Sequence, residues 1–412
     1  MENKNKLLNK IIVTILVLLI CRIGIFIPIP GIDHSEFNEN IKNNVFLNFL
    51  NIFSGGGFST IGIFALGIIP YINSSIITQL LVKIIPQLEN LQKEEGEAGR
   101  KKIVQITRYF TIIWAIFQSI SISVWVKPYT FTWDNYFILN CTLTLTTGSI
   151  IIMWFSEIIT EYGIGNGASL VIFQNIISNI PKNFLKYTVN INDKQNEIQL
   201  IILIIVITTI LMLSILIQES RRKINIILSK QLGKINTLNT QSYIPLKLNQ
   251  GGVMPIVFAS AAMTLPTYLI SILNKQSSNL LIKYFINNNV FYLALYSILI
   301  IGFSYFYSSL ILNPKDISKN LKKMGASIPN IRPGSETTKY LEKIINKLTF
   351  IGGIVLFLIA QFPYIIFNIT QIQNFQGLGT TSLLILVGVA IDTAKQIQTY
   401  IISEQYDNMI EQ

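Results

Sequence analysis

Residues 53–81, FSGGGFSTIGIFALGIIPYINSSIITQLL, decide the fold, because the stretch begins as a membrane helix would and is interrupted in its first half. Gly55, Gly56 and Gly57 stand where a span should start, and each glycine inside a helix costs about 1 kcal/mol relative to alanine. Ser54 to Gly62 is expected to form at best a short, weakly held helix that can be displaced. From Phe64 to Ile85 the pattern becomes a firm apolar span. Ile68 and Ile72 fall one helical turn apart on one face, with Asn73, Ser74 and Ser75 just beyond them.

Composition sets the setting for this stretch. Half of the 412 residues are hydrophobic, 13% are charged and the mean hydropathy is +0.50, a combination expected of a polytopic membrane protein. The net charge of +11 lies in the gaps between apolar runs, so it points to a membrane face or an acidic partner, with ribosomal RNA the one nucleic acid in view. Cys21 and Cys141 sit within apolar segments without CxxC spacing, and His34 is the only histidine. No metal site, no disulfide framework and no catalytic residues are expected, and a serine–histidine pair is disfavoured.

A span needs about 20 apolar residues to cross roughly 30 Å of hydrocarbon. Ten stretches qualify: 10–28, 64–85, 106–126, 137–158, 167–186, 198–218, 251–273, 290–312, 349–369 and 379–401. The first follows MENKNKLLNK with no small-residue cleavage site, so it reads as a retained span. The N-terminus and the gaps 83–108, 219–248 and 313–348 hold 23 of the 32 Lys and Arg residues, against 7 in the alternate gaps. The excess of positive charge places both termini and the long basic loops on the cytoplasmic side or its equivalent. The loops 219–248 and 313–348 exceed the usual connection of about 4–6 residues, and loops of such length are more often functional or disordered. Ten spans divide into five and five near residue 195. A repeat with an odd number of spans would insert its second copy inverted, the arrangement that places a pathway at the interface.

Seven motifs together carry a family resemblance: RIGIFIPIPGID (22–33), the 53–81 stretch, KEEGEAGRKK (93–102), GIGNG (163–167), PLKLNQGGVMP (245–255), NPKDISKNLKKMGASIPNIRPG (313–334) and GTTSLLILVGVAIDTAKQIQT (379–399). The chain resembles, in order and over nearly its whole length, the SecY family of channel subunits of the Sec translocon. The resemblance implies an all-α polytopic membrane protein of ten helices. These would form two inverted five-helix halves, 1–195 and 196–412, around a central pore, clamped by a SecE-type and joined by a SecG-type subunit. Unfolded polypeptide would cross between the halves or leave sideways into the lipid bilayer between the second and seventh helices.

The family's features are carried over position by position. Its hydrophobic pore ring would fall on Ile68, Ile72, Ala168, Ile172, Val257 and Ile385, and such an apolar constriction dewets and blocks ions. The plug would be Ser54 to Gly62, with Gly55, Gly56 and Gly57. The lateral gate would bring Asn73, Gln118 and Asn249 together. Arg332 in the IRPG turn, aided by Lys230 and Lys234, would meet a SecA-type ATPase motor or a ribosome. Pro333 biases Arg332 toward an extended backbone and Gly334 permits a reversal, so the guanidinium should stand at a loop tip.

The rival reading is a secondary transporter of a small solute, which also uses inverted repeats and broken helices. Such proteins normally place an ionisable group in mid-membrane. Here 64–82, 109–126, 137–156, 251–273, 290–312 and 349–369 contain none, and Glu157, Glu161 and Asp392 lie toward span ends. Neither basic loop contains GxxxxGK[ST], so no nucleotide cofactor is expected and the energy must come from a docked partner. Heavy use of Ile, Asn and Lys resembles most the plastid-encoded members from algae, with a thylakoid location. The alternative is the plasma membrane of a bacterium.

Overall fold

The structure, a computed structural model, describes residues 2–33, 51, 54–94, 96–131, 133–188, 194–228, 242–252, 254–256, 258–259, 262, 289–370 and 380–410. The chain divides into two compact units, Met1–Val189 with Val389–Gln412, and Asn190–Gly388.

In the first unit, α1 (Glu2–Ile25) ends just before Pro28 and Pro30, which cannot continue a helix. α2 (Ile69–Ile84) carries Pro70 in its first turn, where a missing N–H costs nothing. α3 (Pro86–Glu94) and α4 (Gly96–Val126) follow, then α5 (Asn135–Tyr162) and α6 (Gly167–Thr188). α4 packs against both α2 and α5, and α5 against α1 and α6. The buried faces of α2 and α4 recur every four residues and are narrow: Pro70, Ser74, Thr78 and Val82 on one, and Thr107, Thr111, Ala115, Ser119 and Ser123 on the other. Small side chains let two backbones approach closely where apolar solvent gives no hydrophobic drive. Their hydroxyls are satisfied within their own helix, as in Ser74 Oγ to Pro70 O at 2.7 Å and Thr111 Oγ1 to Thr107 O at 2.7 Å.

The expected span 64–85 is helical only from Ile69. Gly67 has φ +56, a left-handed conformation that breaks helical propagation, and residues 61–68 form turns and a bridge instead. α4 begins ten residues before its apolar run, so KEEGEAGRKK is largely helical and not a loop.

The second unit opens with α7 (Lys194–Glu219). The described parts of the expected basic loops are folded structure, which composition alone concealed. β1 (Arg221–Asn225) pairs antiparallel with β3 (Tyr243–Lys247), and β2 (Ile227–Leu228) with β4 (Ala326–Ser327). Ile224, Leu246, Ile328, Leu341, Ile344, Ile345 and Leu348 form one buried cluster, so the described strands at 221–225 and 243–247 share a core with 328–348. α8 (Asn289–Ile311) leads to α9 (Pro314–Lys323), capped by Asn313, whose side chain accepts from Lys315 N. α10 runs Ser335–Thr370, fourteen residues earlier than the expected span at 349. It packs against α8, α9 and α7, with a buried Thr349 Oγ1 to Ser308 Oγ hydrogen bond of 2.8 Å joining it to α8. α11 (Thr380–Ile410) contributes residues 380–388 to this unit and 389–410 to the first. Among the described residues of the expected span 251–273, 254–256, 258–259 and 262 are helical, and its remainder beyond 252 lies outside them.

Five helical stretches are long and apolar enough to cross a membrane among the described residues: Leu7–Ile25, Gly96–Tyr129, Asn135–Tyr162, Ala294–Lys323 and Ser335–Gln361. Many of their exposed residues are large and apolar, among them Leu19 and Ile23 on α1, Phe117 on α4 and Ile298 on α8. Such faces fit hydrocarbon as solvent.

Candidate functional site

Residues 54–67 form a knot of turns against the end of α1. Gly55 has φ +68 and Gly56 φ +91, successive left-handed residues that glycine adopts without a steric cost. Short polar side chains cap these turns: Ser54 Oγ accepts from Phe58 N at 2.9 Å, Asn51 Oδ1 accepts from Ser59 N at 2.9 Å, and Ser59 Oγ donates to Gly56 O at 2.7 Å. Side-chain bonds of this kind compete with helix formation and explain why the segment is not helical. Pro28 and Gly62 form an isolated bridge, in which Ile29 N donates to Ile61 O at 3.1 Å and Ile63 N to Ile27 O at 2.9 Å. A Cβ on Gly62 would lie 2.4 Å from Ile25 O, so this close approach requires glycine.

The downstream part of the knot is core. Phe58, Ile61, Ala65 and Leu66 are buried with Ile29, Ile32, Val126, Cys141 and Leu145. Upstream, Ser54 is 1% exposed and Gly55, Gly56 and Gly57 are buried. Arg22 Nη1 donates to Gly55 O at 2.7 Å, while its guanidinium lies 4.7 Å from the Phe26 ring centroid. A Cβ on Gly55 would fall 2.6 Å from Asn175 Oδ1 of α6. Gln174, beside it, donates through Nε2 to Leu18 O at 2.7 Å, which ties α6 to α1. Arg22, Gln174 and Asn175 were not among the expected site residues. The available signal was a set of polar side chains inside apolar runs.

Of the expected apolar ring, Ile68 is 1% exposed and Ile172 6%, while Ile72 and Ala168 are half-buried. Ile68 caps α2, and Ile72 N donates to Ile68 O at 3.1 Å, so the two share one turn. Ala168 and Ile172 share a turn of α6. Ile385 is 3% exposed on α11 within the second unit. Val257, Lys230 and Lys234 lie outside the described residues.

Of the expected gate residues, Asn73 on α2 and Gln118 on α4 are half-buried, and Gln118 Oε1 is enclosed without a hydrogen-bond partner among the described residues. Trp114 Nε1, one turn earlier, is in the same condition. Asn249 is 6% exposed, and its Nδ2 donates to Gly252 O at 2.6 Å within its own turn.

The Arg332 side chain is exposed, as the IRPG pattern implied. Gly334 has φ +114, and its carbonyl accepts from Ser318 Oγ of α9 at 3.0 Å and from Thr338 Oγ1 at 3.0 Å, while Arg332 O accepts from Thr337 Oγ1 at 2.8 Å. These bonds seat the turn and leave the Arg332 side chain exposed. Glu157 is engaged by Arg108 through Nε to Oε1 at 2.9 Å and Nη2 to Oε2 at 2.8 Å, a bidentate pair linking α5 to α4. No group of three or more metal-ligating side chains occurs among the described residues.

A family model described as SecY matches residues 62–394. The chain is 59% identical to the protein translocase subunit SecY of the alga Porphyra purpurea over 99% of this chain and 100% of that one. Against the same subunit of the cyanobacterium Synechococcus elongatus identity is 48%, covering 100% of this chain and 96% of that one. A solved SecY structure whose plug domain is reported to stabilise the closed state and maintain a membrane seal superposes with TM-score 0.68 at 18% identity, over 97% of this chain and 93% of that one. Sec61 from the canine ribosome–channel complex gives TM-score 0.64 at 19% identity, again over 97% and 93%.

Proposed function

We infer, since the chain belongs to the SecY family, how its residues divide the work of a channel-forming protein translocase subunit. It is a multi-pass membrane protein that moves polypeptide. The observation that carries the reading is the buried knot of glycine turns at 54–62, clasped by α1 and α6 next to the apolar turns of Ile68 and Ile172. In this reading, Ser54 to Gly62 is the plug. The ring is Ile68, Ile72, Ala168, Ile172, Val257 and Ile385, an apolar constriction that excludes ions and parts around an extended chain. Asn73, Gln118 and Asn249 line the lateral gate, through which apolar segments pass into lipid. Gln118 Oε1, enclosed without a hydrogen-bond partner among the described residues, supports the gate reading, because opening would let it be satisfied.

The ten helices form halves 1–195 and 196–412 in inverted orientation. The channel is passive and supplies no covalent chemistry. Arg332, with Lys230 and Lys234, receives a SecA-type motor or a ribosome, and the exposed, seated Arg332 turn supports this. SecE-type and SecG-type subunits complete the complex. The membrane is the thylakoid, in line with the identity to an algal relative.

The test is crosslinking from a photoreactive residue at Ile72 while a secretory precursor is stalled in transit. Adducts to the precursor are expected at Ile72, and none at the lipid-facing Ile113, which is 63% exposed on α4. A channel that yields no polypeptide adduct at Ile72 would lose the ring assignment.

A further inference from the structure

The turn at 163–167 is held from two directions. Its own neighbours supply part of the bonding: Gly163 N donates to Ile159 O at 2.9 Å, Gly167 N to Thr160 Oγ1 at 2.9 Å and Ala168 N to Asn166 Oδ1 at 3.1 Å. From α11, 231 positions along the chain, Gln396 Oε1 accepts from Gly165 N at 2.8 Å. Gly165 is buried and has φ +91, and a Cβ built on it would lie 3.0 Å from Thr393 Cγ2, so α11 lies directly against this glycine. One turn beyond Gln396, Tyr400 OH accepts from Lys10 Nζ of α1. Thr393, Gln396 and Tyr400 stand three and four residues apart and so share one face of α11. A buried backbone N–H is costly to leave unpaired, so loss of the Gln396 oxygen opposes the docking of this face.

α11 is one unbroken helix from Thr380 to Ile410, with residues 380–388 in the second unit and 389–410 in the first. Its first part carries Ile385, and the turn at 163–167 leads into α6, which carries Ala168 and Ile172. We propose that Gln396 is a positioning residue for the channel: its bond to Gly165 N clasps α11 to the first unit and so holds the helix that bears Ile385 in its resting place. A helix advances about 1.5 Å per residue, so Ile385 stands about 16 Å from Gln396 along the same element and moves with it. The proposal rests on the ring reading and adds to it a residue outside the ring on which closure depends. Glycine is required at 165 by the left-handed φ and by the lack of room beside Thr393 and Leu170.

The experiment uses the assembled channel with its partner subunits in vesicles. Thr393→Cys, at a half-buried position, and Asp392→Cys, at an exposed one, are labelled in turn with a maleimide, against native Cys21 and Cys141, which are buried. Gln396→Leu removes the acceptor and should raise the labelling rate at residue 393 by about tenfold, the shift expected when a buried donor loses its partner, with the rate at 392 unchanged. Gln396→Glu keeps an oxygen of the same reach and should restore the wild-type rate. Resting conductance in planar bilayers should likewise rise in Gln396→Leu and return to the wild-type level in Gln396→Glu. A residue that only filled space would be served by leucine at least as well as by glutamate, so equal behaviour of the two variants overturns the proposal. An equal rise at 392 and 393 would mean general loosening and also overturn it.

The double variant Ile72→Ser with Ile172→Ser separates this idea from the reading beneath it. A leak in the double variant with wild-type conductance in Gln396→Leu removes the closure role of Gln396 and leaves the ring. No leak in the double variant removes the ring, and labelling at 393 then decides the clasp alone, upheld by a rise in Gln396→Leu and overturned by none. If Gln396→Leu does not accumulate, Gln396→Asn, whose oxygen falls one methylene short, carries the measurement. Failure of both to assemble makes Gln396 a folding residue and ends the proposal.

Discussion

Arg332 and the paired apolar turns at Ile68–Ile72 and Ala168–Ile172 are individual side chains whose chemistry makes opposite demands. A guanidinium offers a planar fork of five donors, which suits bidentate contact with a carboxylate or a phosphate, whereas lysine is a point charge. The seating of the turn by Ser318, Thr337 and Thr338 fixes where that fork stands. Arg332→Lys is expected to fail nearly as badly as Arg332→Glu in ATP-dependent import of a secretory precursor into vesicles, with channel abundance normal. Wild-type rates in the Lys variant would reduce Arg332 to a solvated topological anchor. In the proposed ring the isoleucines act by excluding water. Replacing Ile72 and Ile172 together with Ser should hydrate the constriction and raise ion leakage in planar bilayers, and unchanged conductance would count against them.

At the scale of elements, the folded basic segment of the second unit is the clearest case of structure supporting a proposed docking surface. β1, β3 and the first turns of α10 enclose Leu341, which is 0% exposed. Leu341→Ala should cost about 2–5 kcal/mol, the range for a buried leucine. Limited proteolysis should then cut within 219–248 and motor-driven transport should drop, while the resting seal in the first unit is kept. Loss of the seal at the same time would show that the two activities are not separable. The glycine knot makes the complementary point. Three consecutive glycines indicated that a helix would be weak there; the segment forms turns instead, and these are buried or half-buried and hydrogen-bonded, which general softness does not describe.

For the whole molecule, the distribution of Lys and Arg sets the expected orientation, and α4 tests it. Its N-terminal end carries Arg100, Lys101 and Lys102, and its far end leads to Phe131, which is 74% exposed. With intact thylakoids or inverted vesicles, a maleimide that cannot cross the membrane should reach Glu97→Cys only from the side bearing the motor, and Phe131→Cys only from the opposite side. Labelling of both from one face would refute the assignment of sides. The family itself was legible from motifs spread along the chain, because their order and spacing over nearly the full length leave little room for coincidence. The matches to algal and cyanobacterial translocase subunits agree with that reading.

Hydropathy was enough for the membrane class and for the approximate positions of the described helices, while the family came from the resemblance carried by the motifs. Bilayer thickness and the need to satisfy every backbone polar group leave a chain of this composition few alternatives. Prolines 70, 86 and 314 stand in the first turns of their helices, where a missing N–H fits, although the sequence reading did not use them to set helix starts. Four features needed the tertiary structure. The start of α2 at Ile69 instead of 64 depends on the left-handed Gly67. The joining of the two basic segments depends on strands about a hundred residues apart in sequence, paired at Ile227 and Ser327. The partner of Glu157 is set by the packing of α4 on α5. The grip of Arg22 on Gly55 joins residues 33 positions apart through a backbone carbonyl. A carbonyl has no side-chain identity, so no pattern of residue types could have announced that bond.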